Sequence, residues 1–316
     1  MEEKIKDYIF QHPYFSSLKL AKFILERENL PYSIHSLRKK ISRIKSSLIK
    51  PSEDFTAPSS TLELPESWYV EEKNYILPSK ENRIAIINDV HIPFHSRENL
   101  QIALDYIYDW NPTTLILNGD IMDCYSVSNF ARDPKYRDFN KELEIGKKFL
   151  EYLRNRFNNT HIIYKFGNHE QRLQLYLWKK AEELTEIKEL QLENLLKLHQ
   201  YEITFVSPNQ LIKIDKLYVL HGHEIFASGG MINVARNLRL KSADNIIFGH
   251  FHRSQEDIVT TISGKAIGGW AIGCLCGLRP PYRPISFWNA GFALVERGEN
   301  NTFSVENKKI ILGKVL

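Results

Sequence analysis

The chain has 316 residues, 43% hydrophobic and 25% charged, enough to bury a sizeable core and ordinary for a soluble globular protein. No apolar run approaches the roughly 20 residues of a membrane helix, and the charged start from Met1 to Lys6 lacks the apolar stretch of a secretory signal. Three cysteines (Cys124, Cys274, Cys276) cannot build a disulfide framework, which fits a reducing cytoplasm. Cys274 and Cys276 alternate within an apolar stretch and read as strand residues rather than ligands.

Along the chain, Glu2 to Phe10 suits a short helix that stops before Pro13. Leu18, Ala21, Ile24 and Leu25 recur at helical spacing behind Ser16 or Ser17 as caps, and a turn comes next through Asn29, Leu30 and Pro31. Ser33 caps a third expected helix, whose apolar stripe is Ile34, Leu37, Ile41, Ile44 and Leu48. The other faces carry Arg38, Lys39, Lys40, Arg43 and Lys45 without one acidic residue, so the net charge of +4 is concentrated here. A basic amphipathic helix after a helix and turn is the pattern of a helix-turn-helix, with nucleic acid as the expected partner and no membrane. The alternative is an interaction bundle with a solvated basic face.

Residues 1–50 thus form a small all-α module and residues 51–66, with Pro51, Pro58 and Pro65, a polar linker. From residue 67 to 316 the texture becomes α/β. Short β-branched runs (Ile84–Ile87, Leu115–Leu117, Ile162–Phe166, Tyr218–Leu220, Ile246–Phe248) accompany amphipathic stretches such as Leu100–Trp110 and Leu143–Phe157. Gln171 to Gln200 has helical character and is expected to form a cap near the site, where Trp178 or Tyr176 could stack on a base or simply join the core. The tail from Asp257 onward is expected to build a second sheet.

The residues at the carboxyl end of each apolar run are decisive. The runs lead into Asn88-Asp89-Val90-His91, Asn118-Gly119-Asp120-Ile121-Met122-Asp123, Gly167-Asn168-His169-Glu170, His221-Gly222-His223 and Gly249-His250-Phe251-His252. Open α/β sheets place ligand sites at the carboxyl ends of their strands. One such fragment means little; five in order mark a site.

These ordered fragments resemble the calcineurin-like metallophosphoesterase superfamily over roughly Arg83 to Glu296. The resemblance implies a sandwich of two β-sheets flanked by helices, preceded here by the helix-turn-helix-like module. It implies one metal held by Asp89, His91, Asp120 and His252, and a second by Asp120, Asn168, His221 and His250. Imidazole, carboxylate and amide donors without thiolate suit two divalent ions, manganese first, with iron or zinc as alternatives. The nucleophile would be a hydroxide bridging them. His169 resembles the family's catalytic histidine, and Asp123 is expected to hydrogen-bond it. The arginine that protein phosphatases carry after that aspartate is Cys124 here; Arg172 or Arg253 could grip phosphate instead, and His95 or His223 could orient ligands.

Gly167 to Leu198 and Trp288–Phe292 look most like phosphoesterases of bacteriophage and prophage genomes, and Gly119–Asp123 resembles DNA-repair exonucleases of the superfamily. The leading expectation is therefore a phosphoesterase acting on nucleic acid, in a host's cytoplasm if phage-derived. A phosphatase for proteins or small phosphomonoesters is the alternative. A DNA-binding regulator with an inert phosphoesterase scaffold is a third reading, disfavoured by the complete ligand set.

Overall fold

The computed structural model describes residues 2–48, 64–131, 133–225, 232–280 and 285–316. The expected linker lies outside them except for residues 64–66. The chain divides into two compact units, one ending at Tyr69 and the other beginning at Val70.

The first unit holds α1 (Glu2–Gln11), α2 (Ser17–Arg27) and α3 (Ile34–Leu48). Ser16 Oγ accepts from the Lys19 amide and Ser33 Oγ from the Ser36 amide, each 3.2 Å away, satisfying donors that a helix start leaves open. Ile5, Ile9, Leu20, Ala21, Ile24, Leu37, Ile41 and Ile44 make one buried cluster, the inward stripes of all three helices. Leu18, Ile34 and Leu48, although in phase, are exposed because each sits in a terminal turn.

The second unit runs β1 (Tyr75–Ile76), β2 (Arg83–Ile87), α4 (Arg97–Trp110), β3 (Thr114–Asn118), α5 (Phe139–Arg156), β4 (His161–Lys165), α6 (Gln171–Lys180), α7 (Leu192–Leu195), β5 (Ile203–Val206), β6 (Ile212–Ile214) and β7 (Leu217–Leu220). It continues through α8 (Val234–Ser242), β8 (Asn245–Phe248), β9 (Gln255–Thr260), β10 (Ala266–Ala271), β11 (Ala290–Arg297), β12 (Phe303–Ile311) and β13 (Lys314–Val315). Two sheets form, ordered β13-β12-β11-β2-β3-β4-β5 and β1-β6-β7-β8-β10-β9. The parallel strands β2, β3 and β4 are almost wholly buried because both faces are covered. Ala85, Leu115 and Ile162 pack with α4 and α5, whereas Ile84, Ile116 and Ile163 meet Ile212, Val219 and Ile247 of the opposite sheet.

The tail does not build the second sheet by itself. Its strands divide: β9 and β10 join β8, while β11 pairs antiparallel with β2. Six successive residues of β11, Ala290 to Val295, are buried on both faces, which demands an interior position beside β2. The stretch after α6 is a chain of short 3-10 turns (Glu182–Leu184, Lys188–Leu190) and the one-turn α7 rather than a continuous helix.

Candidate metal centre

Each ligand candidate comes just after the end of a strand: Asp89 and His91 after β2, Asp120 after β3, Asn168 after β4, His221 after β7, and His250 and His252 after β8. The first three strands belong to one sheet and the last two to the other, so both sheets contribute to one cluster. The backbone must turn sharply to achieve this. Asp89, His91, Asp120, His250 and His252 all have φ between 52° and 66°. That left-handed region costs a non-glycine residue about 1–3 kcal/mol and persists only where surrounding contacts enforce it. Gly119, at φ +80°, leaves space that a Cβ would deny to the His221 ring, and a Cβ at Gly249 would overlap Asn88 and Asp89.

The side chains converge closely. His252 Nε2 lies 3.1 Å from Asp89 Oδ1, His221 Nε2 3.1 Å from Asp120 Oδ2, and His91 Nε2 3.2 Å from His252 Nε2. His91 Nε2 is also 3.7 Å from Asp89 and 3.9 Å from Asp120. Asp120, His221 and His250 form one group of potential ligands with donor atoms within 4.8 Å of each other, and Asp89, His91 and Asp120 form another, so Asp120 is common to both.

Three of these histidines present Nε2 to the cluster and are anchored through Nδ1. His91 Nδ1 meets Asp123 Oδ2 at 3.0 Å, His221 Nδ1 meets the Asn118 carbonyl at 2.9 Å, and His252 Nδ1 meets Cys276 Sγ at 3.7 Å. A partner on the far nitrogen fixes ring orientation and tautomer, as metal-ligating histidines require. Cys274 and Cys276 are buried and make isolated bridges rather than lying in a strand; Cys276 backs a ligand candidate.

Burial opposes every charge here, yet mutual attraction prevails at most positions. Opposing burial, contact with the histidines holds Asp89, Asp120 and Asp123 well below the usual carboxylate range. Against the same burial penalty, the carboxylates lift His91, push His221 to about 10 and push His252 to about 9. His250 goes the other way, to about 4, through burial and repulsion from His221. The buried carboxylates thus favour positive charge beside them, which divalent cations would supply. Asn168 Oδ1 and His250 Nδ1 are shielded from solvent without a hydrogen-bond partner among the described residues, an expensive condition that a cation relieves. Two carboxylates, four imidazoles and an amide oxygen fit borderline divalent ions.

Around this centre the expected helpers take definite places. Asp123 is nearer to His91 than to His169, whose Nδ1 is 3.5 Å from its Oδ2 and 3.2 Å from its main-chain carbonyl. His169 Nε2 stands 3.7 Å from Asp120 Oδ2. Arg172 donates to Asp123 Oδ1 at 3.0 Å and to His169 Nε2 at 2.8 Å, so it braces these two side chains. Arg253 lies over the Phe287 ring, 5.5 Å from its centroid. His95 bridges to Cys276 through its backbone, and His223 sits 3.5 Å from Glu224. In α3, Lys40 bonds Tyr32 Oη at 3.0 Å and Lys45 the Phe15 carbonyl at 2.6 Å; Arg38, Lys39 and Arg43 stay exposed.

The sequence marks Glu170 as the last residue of the Gly167–Glu170 fragment without giving it a role, and the structure gives it a structural task. Its buried carboxylate accepts from the amides of Asp120, Ile121, Met122 and Gly167 and from Tyr164 Oη, at 2.7 to 2.9 Å. It ties the β3 turn to the β4 turn. Glu224 does the same after β7, accepting from the His221 and Gly222 amides and pairing with fully buried Lys165 at 2.8 Å. Against burial, Lys165 brings Glu224 to about 2. The signal for this pair was a lysine inside an otherwise apolar strand.

A two-sheet sandwich whose strand ends surround a buried Asp/His cluster defines a metal-dependent phosphoesterase. The family profile of calcineurin-like phosphoesterases matches residues 82–263, and the chain belongs to that family. Among curated relatives, the Gene 54 protein of Mycobacterium phage L5 is 27% identical over 228 residues, covering 67% of this chain and 88% of the relative. The Gene 54 protein of Mycobacterium phage D29 is 27% identical over 180 residues, covering 54% and 69% respectively. Vacuolar protein sorting 29 from Cryptosporidium parvum aligns with a TM-score of 0.41 at 12% identity, over 75% of this chain and 95% of that one. Among the described residues no helix is long and apolar enough to cross a membrane.

Proposed function

We propose that this phosphoesterase hydrolyses phosphodiesters of nucleic acid, using two divalent cations. The observation that carries the chemistry is the convergence of Asp89 and Asp120 with four histidines from both sheets. Asp89, His91, Asp120 and His252 would hold one cation, and Asp120, Asn168, His221 and His250 the other, manganese being the first candidate. Such a pair supplies Lewis acidity, making water a competent nucleophile and offsetting charge on the phosphate.

The protein's own groups complete the reaction. His169 stands at the cluster's edge, where its Nε2 would take a proton from the attacking water and pass it to the departing oxygen. In the resting arrangement that nitrogen accepts from Arg172, which places the ring proton on Nδ1, facing the Asp123 carbonyl. The preference for nucleic acid is supported by α3, where Arg38, Lys39 and Arg43 are exposed on a helix without acidic residues.

The test is a manganese-supported screen of single-stranded DNA, double-stranded DNA, RNA and phosphomonoesters, with Asp120→Asn as control. Cleavage of a polynucleotide by the wild type alone is expected. Turnover confined to phosphomonoesters would replace this reading with a phosphatase.

A further inference from the structure

Beside the metal-site turn lies a cleft of about 470 Å³ between α6, the turns leading to α7, and β5. Glu170 and Gln171, which directly succeed His169, form part of its wall. The cleft therefore begins where the catalytic turn ends.

We infer that this cleft receives one nucleobase of the substrate. The inference deepens the nucleic-acid reading above and rests on it for the identity of the polymer. Charge comes first. The lining contains Glu72, Glu170 and Glu193 but neither lysine nor arginine, so a phosphate is repelled and the uncharged part of a nucleotide is not. Glu170 is fully engaged by its amide donors, and Glu72 accepts from Ser207 and Asn209, leaving Glu193 to accept from an exocyclic amine.

Aromatic surface comes second. Phe166 is buried at the cleft, whereas Trp178 and Phe205 are 52% and 38% exposed along it. Half-exposed rings beside a cavity give a flat base a stacking surface whatever its sequence. Tyr176, the other candidate for stacking, is not part of the lining.

Hydrogen bonding comes third. Gln171, Gln174 and Gln191 line the cleft, and their side-chain amides make no hydrogen bond among the described residues. Thr185 Oγ1 is shielded from solvent and has no partner among them either. Carboxamides offer a donor and an acceptor side by side, the pattern a base edge presents. An aromatic cleft with amides, a carboxylate and no cation matches a base better than a sugar or a phosphate.

Two measurements on the full chain test this. Free deoxyribonucleosides, which carry no phosphate, are titrated while tryptophan fluorescence is monitored. Saturable quenching is expected in the millimolar range, lost in Trp178→Ala and weakened in Phe205→Leu, which keeps apolar volume. No saturable binding by the wild type overturns the cleft assignment even if DNA is cleaved. Nucleoside binding without cleavage of any polynucleotide retains the cleft and overturns the polymer reading instead. The second measurement scans one abasic site through a short single-stranded oligonucleotide. One position is expected to raise KM about tenfold, the scale of one lost stacking contact, and that penalty should vanish in Trp178→Ala. A flat scan, or equal loss of hydrolysis by Trp178→Ala on a small chromogenic diester, overturns the proposal.

Discussion

The two units of the chain are held together in opposite ways. The helical unit hides eight apolar side chains and keeps its charges outside, so its stability comes from stripes that repeat at helical spacing. The phosphoesterase unit has the same kind of apolar layers, but where its strands end it buries Asp89, Asp120, His221, Lys165 and Glu170. There the groups that would be costly alone satisfy one another, and removing one strands the rest. A surface charge in the first unit can be changed with little structural consequence. A charge at the strand ends of the second cannot.

Four variants would break or sharpen that contrast. Asp120→Asn should lower turnover by at least about a thousandfold, because the carboxylate common to both ligand groups disappears. Elemental analysis should find less bound metal, and full occupancy with normal turnover would show that Asp120 is not shared. His169→Ala should reduce the rate by roughly 10²–10⁴-fold while retaining both metals. Loss of metal from that variant would make His169 a ligand. Lys165→Met should destabilise the phosphoesterase unit by about 3–5 kcal/mol in urea unfolding, since Glu224 would remain buried without its partner. A change under about 1 kcal/mol would mean that water or protonation relieves Glu224. Replacing Arg38, Lys39 and Arg43 together with alanine should leave unfolding within about 0.5 kcal/mol of wild type. The same change should reduce the salt dependence of DNA binding by about three in log–log slope. An unaltered slope would remove the basis for placing DNA on α3.

The sequence made much of this arrangement visible. Strands β2, β3, β4, β7 and β8 were legible because they are buried runs, and the ligand candidates because Asp, Asn and His stand directly after each run. The three helices were legible from Leu37, Ile41, Ile44 and their counterparts, whose spacing is a local property. The hidden features depend on partners distant in the chain. Nothing near Asp123 shows that its carboxylate turns to His91, or that Arg172 spans both Asp123 and His169. The placement of β11 beside β2 is likewise non-local, set by a strand that needs cover on two faces. Cys276 reads from sequence as a strand residue, because its neighbour His252 becomes a neighbour only after folding.

The division of ligand candidates between the two sheets reaches beyond catalysis. Asp89, His91, Asp120 and Asn168 hang from one layer, and His221, His250 and His252 from the other. Cations gripped from both sides would act as a rivet through the sandwich. Stripping them with a chelator should then loosen the layers at that end first, making these loops the earliest protease-sensitive part of the domain and coupling resistance to digestion directly to metal supply.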